Sequence, residues 1–175
     1  MKTLILLRHA KSDWSESIIY AGTVSDIERP LSKRGYEACR SISHFFVSMK
    51  LEVDLVEYSS ALRATDTFNA IKDSLHFSVQ RQNSKLYTFS AQTLLNVISN
   101  TSDKVEKYLL VGHNPAIEDL ISELVPPDHN SKDLAILRNK YPTGALAFLK
   151  LNIFKWNELT PNCGCLKAFL RPRDI

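Results

Sequence analysis

Two short apolar runs, far apart in the chain, each end in a histidine, and this repeated device constrains the fold more than any other feature. The first is Leu4-Ile5-Leu6-Leu7, closed by Arg8-His9-Ala10; the second is Tyr108-Leu109-Leu110-Val111, closed by Gly112-His113-Asn114-Pro115. Short apolar runs bounded by polar residues read as buried strands. In an open α/β sheet, ligands bind beyond the carboxyl ends of the strands, so two histidines at two such ends can converge on one ligand. Either histidine alone is as readily a strand cap. The pair together points to a site.

Strand-like and helix-like patterns alternate along the rest of the chain, which predicts an α/β fold with a mainly parallel sheet. No repeat or linker divides the 175 residues, so one domain over 1–175 is expected. After a polar loop from Lys11 to Pro30, Ser32 is placed to cap a helix with an apolar stripe of Ala38, Ile42, Phe45, Phe46 and Met49. A strand over Val53 to Tyr58 leads to Ser59 and Ser60, natural caps for a helix through Leu62, Ala64, Phe68 and Ile71, with Arg63 in its first turn. A short strand around Phe77 to Val79 and a helix from Ala91 to Ile98 precede the second histidine run. Pro115 suits a first helical position, and Ile117, Leu120, Ile121 and Leu124 then share a core-facing stripe. Segments Ala145 to Leu151 and Leu166 to Leu170 read as later strands, antiparallel at one edge, while Pro126 to Tyr141 is polar and receives no element.

The composition, 44% hydrophobic and 23% charged, is that of a globular protein rather than a disordered one. A net charge of +3 from basic residues scattered among acidic ones gives little support to a nucleic-acid surface. No segment approaches the roughly 20 apolar residues of a membrane span, and the run Leu4 to Leu7 is too short for a signal peptide, so a cytoplasmic protein is expected. Cys39, Cys163 and Cys165 lack paired metal-site spacing and are read as reduced structural thiols.

Three strand-to-helix junctions therefore present Arg8 with His9, Arg63, and His113 with a following helix N-terminus. Arginine forks bind phosphoryl oxygens, and a helix N-terminus adds free N–H donors. A neutral imidazole adds nucleophilicity, so it can attack phosphorus and split one displacement into two. Two histidines among arginines repel cations, and no carboxylate cluster accompanies them, so neither metal nor cofactor is expected.

These residues carry a family resemblance. Leu7-Arg8-His9-Ala10 resembles the RHG signature of the histidine phosphatase superfamily, with alanine in place of the usual glycine. The segment Ser59-Ser60-Ala61-Leu62-Arg63-Ala64-Thr65-Asp66-Thr67 resembles its second arginine motif, and Gly112-His113-Asn114 its second histidine motif. The resemblance implies a phosphoglycerate mutase-like three-layer sandwich, a mostly parallel central sheet flanked by helices. It also implies roles: His9 as the phosphorylated nucleophile, Arg8 and Arg63 as phosphate clamps, and His113 as a further phosphate-pocket donor. Ser12, Thr143 and Gly144 fall where pocket contacts can occur, although a loop hydroxyl and a turn before a strand explain them equally well.

Within the superfamily, the short length, the opening Arg8-His9-Ala10-Lys11-Ser12-Asp13-Trp14 and the segment Arg29-Pro30-Leu31-Ser32 most resemble the SixA-type phosphohistidine phosphatases. Mutase-like members supply an acidic residue after the second arginine helix, yet Ser74 to Asn100 contains no Asp or Glu. Asp13, Asp26 and Glu28 in the first loop read as solvated charges and are left unassigned. An alkoxide leaving group gains from proton donation more than a phosphoramidate, which can carry its own proton. The expected substrate is therefore a phosphohistidine-bearing protein, such as a phosphotransfer domain, with Lys11, Arg29, Lys33 and Arg34 as candidates for guiding an acidic partner. A small phosphate ester or anhydride is the alternative, and a silent phosphate-binding module a third reading.

Overall fold

The structure is a computed structural model, and it describes residues 1–15, 24–127 and 132–175. Parts of the first loop (16–23) and of the polar segment before Tyr141 (128–131) therefore lie outside the described residues. Six strands form one sheet: β1 (Lys2–Arg8), β2 (Glu52–Ser59), β3 (His76–Asn83), β4 (Lys107–Gly112), β5 (Leu146–Leu151) and β6 (Gly164–Leu170). Their spatial order is β3-β2-β4-β1-β5-β6. The first four are mutually parallel, and β5 and β6 add an antiparallel edge. This is the mostly parallel sheet with an antiparallel edge that the alternating pattern predicts.

Among the described residues five α-helices flank the sheet: α1 (Lys33–Met49), α2 (Leu62–Ile71), α3 (Ala91–Ser99), α4 (Ala116–Leu124) and α5 (Lys132–Asn139). One face of the sheet packs Ile5, Leu7, Val56 and Val111 against Ile42 and Phe46 of α1 and Phe68 of α2. The other packs Leu4, Leu6 and Leu110 against Leu94 of α3, Ile117 and Leu120 of α4, and Leu134 and Leu137 of α5. Because both faces are covered, the inner strands read as unbroken apolar runs rather than alternating ones. The result is the three-layer, phosphoglycerate mutase-like sandwich.

Local chemistry explains most boundaries. Ser32 Oγ accepts the Gly35 amide and caps α1 as expected, but Met49 faces solvent, and Gly35, Cys39, Ile42 and Phe46 form the buried stripe. The cap of α2 differs from expectation. Its N-cap is Ala61, without a side-chain bond, because Ser59 Oγ is instead engaged by the Ala61 amide and by His113. Pro115 sits just before α4, whose first residue is Ala116, and follows a cis bond from Asn114. The strand at Phe77 runs longer, from His76 to Asn83, because it pairs along the whole of β2 although its side chains are largely exposed. The polar segment hides α5, which anchors on only two buried leucines and therefore carries a weak sequence signal.

Candidate active site

Strand register builds the site. In the parallel β1–β4 ladder Arg8 lies opposite Gly112, so the next residues, His9 and His113, emerge side by side. The His9 amide donates to Gly112 O at 3.0 Å, and the two rings stand 5.0 Å apart between centroids. On the far side of β4, Tyr58 pairs with Val111, which brings Ser59 level with the same strand ends. From there α2 carries Arg63 inward, only 3% exposed. The structure thus brings Arg8, His9, Arg63 and His113 together.

The neighbouring backbone fixes each of them. His9 Nδ1–H donates to the Ala10 carbonyl at 2.7 Å, so in the neutral ring Nε2 carries the free lone pair. The Ala10 amide donates to Thr67 Oγ1, which in turn donates to the Arg63 carbonyl, tying the end of β1 to α2. Ala10 itself is fully buried and has no positive φ, so this bend accepts an alanine where the superfamily signature has glycine. Arg8 Nη1 donates to the Tyr141 carbonyl at 2.5 Å, and Tyr141 OH returns to the Leu6 carbonyl. The second histidine is anchored through Nε2, 2.8 Å from Ser59 Oγ.

Electrostatics keep both imidazoles neutral. Burial, then the neighbouring His113 ring and the two arginines, push His9 down to about 3; burial, then Arg63, push His113 to about 3, against a smaller opposing pull from Asp26. Burial also lowers Arg8, partly offset by the charge of Glu118. Several buried donors have no acceptor: Arg8 Nε, Arg63 Nε, Arg29 Nε and Nη1, with His113 Nδ1 also unpartnered. Buried donors without acceptors cost free energy, and a cluster of cationic donors of this kind suits an anion.

Five further residues belong to this site: Asp26, Arg29 and Ser59, which the sequence places as a loop charge, a partner guide and a helix cap, and Tyr87 and Glu118, which it does not single out. Asp26 is the largest correction. Rather than a solvated loop charge, it accepts from Arg63 Nη2 at 3.1 Å, Arg29 Nη2 at 2.7 Å and Tyr87 OH at 2.7 Å, while its carbonyl takes Arg63 Nη1. The Tyr87 hydroxyl and the two arginines outweigh partial burial and hold its carboxyl below the usual range. Arg29, considered from sequence only as a surface guide, is buried beneath the Trp14 ring at 3.5 Å. The Arg29-Pro30 signal was available; its inward direction depended on the loop.

The remaining candidates show no side-chain contact with the two histidine rings. Ser12 is buried and forms an isolated bridge to Leu31. Gly144 uses its only amide on the Arg8 and His9 carbonyls, at 3.0 and 3.1 Å, so it supports the strand end rather than offering a donor to an anion. Its φ of +77° explains why glycine stands there. Thr143 lines a neighbouring groove. Asp13 accepts the Ser15 amide, and Glu28 pairs with Ser25, so neither points to chemistry. Among the described residues no group of three His, Cys, Asp or Glu is arranged to hold a metal.

A parallel sheet whose strand ends gather two histidines and three arginines has its likeness among histidine phosphatases. The family model of the histidine phosphatase superfamily (branch 1) matches residues 4–84, which include Arg8, His9 and Arg63. Solved structures from Nakamurella multipartitia and Agrobacterium tumefaciens, both assigned as phosphohistidine phosphatase SixA, superpose with TM-scores of 0.79 and 0.75 at 26% identity. They cover 98% of this chain, and 96% and 98% of their own lengths. A protein histidine phosphatase SixA complexed with tungstate shares the fold at 21% identity and a TM-score of 0.75, over 98% of this chain and 97% of its own. An uncharacterized protein of Mycobacterium tuberculosis is 28% identical over 173 residues, covering 95% of this chain and all of that one. In sequence over residues 4–84 and in fold over 98% of its length, the chain is similar to histidine phosphatases, those of SixA type among them. Among the described residues no helix is long and apolar enough to cross a membrane.

Proposed function

We propose that the protein removes phosphate from phosphohistidine on another protein, through a covalent phosphohistidine on His9. His9 Nε2, deprotonated because Nδ1 is bonded to the Ala10 carbonyl, attacks phosphorus as the substrate P–N bond breaks. The bonding pair leaves with the substrate imidazole, which already carries a proton on its other nitrogen. Water then attacks the phosphorylated His9, giving inorganic phosphate and restoring the neutral ring. Arg8, Arg63 and Arg29 stabilise charge on the equatorial oxygens. With the Ser59 hydroxyl donating to Nε2, His113 presents Nδ1–H to the same oxygens.

The observation that carries the P–N preference is Asp26. Among the described residues it is the carboxylate that reaches Arg63, and three donors hold it ionised, so it has no proton to give an alkoxide. Tyr87 keeps its proton directed at Asp26, and its hydroxyl is shifted upward by that bond. A leaving group that brings its own proton suits such a pocket.

The test is phosphate release from a phosphohistidine peptide and from a panel of alkyl phosphates, with His9→Ala as control. Selective P–N hydrolysis, lost in the variant, is expected. Equal or faster turnover of alkyl esters would refute the substrate class and favour a phosphatase for small esters or anhydrides.

A further inference from the structure

A groove of about 480 Å³ opens beside the histidine site, between the start of α1, the end of α5, the turn before β5 and the C-terminal residues. Its walls carry Lys11, Arg34, Lys140, Arg171 and Arg173 against one carboxylate, Glu37. Arg171 is already neutralised by Asp174, through contacts of 2.6 and 2.8 Å. The other four cations have no carboxylate within ion-pair distance among the described residues. Surface charges ordinarily interleave with opposite ones; four unpaired cations around one concavity repel each other and focus a positive potential into it.

The groove adjoins the reacting strand end. Lys11 lies two residues beyond His9, and its carbonyl accepts the Ser32 amide at the start of α1. On the opposite wall, Thr143 precedes the Gly144 amide that holds the Arg8 and His9 carbonyls. A phosphohistidine inserted as far as His9 therefore carries the flanking residues of its own protein over these cations.

We infer that this groove docks acidic side chains flanking the phosphohistidine of the substrate protein. The inference rests on the phosphohistidine reading and adds the chemistry of the partner surface. Complementary charge of this kind acts mainly on encounter and selectivity, so it is read in kcat/KM rather than in the chemical step.

The experiment compares two synthetic phosphohistidine peptides, one flanked by Asp and Glu, the other by Ser and Gly, with wild type and an Arg34→Glu/Arg173→Glu variant. Wild type should prefer the acidic peptide by about tenfold in kcat/KM at low ionic strength, with the preference shrinking as salt rises. The variant should lose that preference while hydrolysing free phosphoramidate as wild type does. Equal use of both peptides by wild type, or a preference that survives in the variant, overturns the inference. If neither peptide is hydrolysed while an aryl phosphate is, the phosphohistidine reading has failed. The groove is then judged by calorimetry with the unphosphorylated acidic peptide: binding lost in the variant upholds an acidic docking site, and absence of binding to wild type overturns it.

Discussion

Acidification from pH 7.5 to 5.0 should destabilise this protein chiefly through two buried imidazoles, and the size of the effect follows from their surroundings. His9 and His113 are 7% and 2% exposed and titrate near 3 in the folded chain. An unfolded histidine titrates near about 6.5. Because the folded value is the lower one, the unfolded state binds more protons between the two values. The stability contributed by the neutral rings is thus complete above about 6.5 and is lost as pH falls toward 3. At pH 5.0 each histidine costs about 2 kcal/mol relative to pH 7.5, or about 4 kcal/mol for the pair, a large share of a typical total of about 5–15 kcal/mol. The assay is urea unfolding at both pH values for wild type, His9→Asn and His113→Asn. Each variant removes one titrating group and should lose about 2 kcal/mol of the pH-dependent difference, whatever its absolute stability. A His113→Asn variant with the same pH dependence as wild type would show that His113 does not stay neutral in the fold, and the electrostatic picture of the site would be wrong.

Three further outcomes are expected. His9→Ala should abolish phosphate release, and Arg63→Ala should reduce kcat by about 10²–10³-fold, the usual cost of one oriented charge-stabilising donor; near-normal steady-state turnover in either variant would remove that residue from the mechanism. Tungstate bound at the unpartnered donors should meet a neutral His113 through Nδ1–H, so binding at pH 7.5 should take up no proton on the protein; calorimetry in buffers of different ionisation enthalpy checks this, and an enthalpy that varies with the buffer would refute it. Gly35→Ala places a Cβ 2.3 Å from the Lys11 carbonyl oxygen, a backbone atom, and should cost about 1–3 kcal/mol in urea unfolding because α1 must move away from the strand end; an unchanged midpoint would contradict that close approach.

The contrast between what was legible and what was not has a physical origin. Strands β1 and β4 were readable because burial on both faces forces continuous apolar runs, and α4 because its stripe faces one core. α5 was not, because two buried leucines within a charged octapeptide leave almost no period to detect. Met49 and Ser59 were misplaced for a related reason: local pattern assigns a stripe or a cap, but a neighbouring helix or a distant histidine decides which side chain is actually used.

By itself, then, the sequence determined the alternation of elements, the two strand ends bearing Arg8, His9 and His113, and the helix turn bearing Arg63, since these depend on contacts between near neighbours in the chain. The tertiary structure alone decided that the β1–β4 register sets His9 beside His113, that Asp26 and Arg29 fold in from the first loop onto Arg63, and that five basic residues from four separate segments surround one groove. Register, inward turning and charge clustering are relations between residues far apart in sequence. They are fixed by the packing of the two cores against the sheet, which no local pattern specifies.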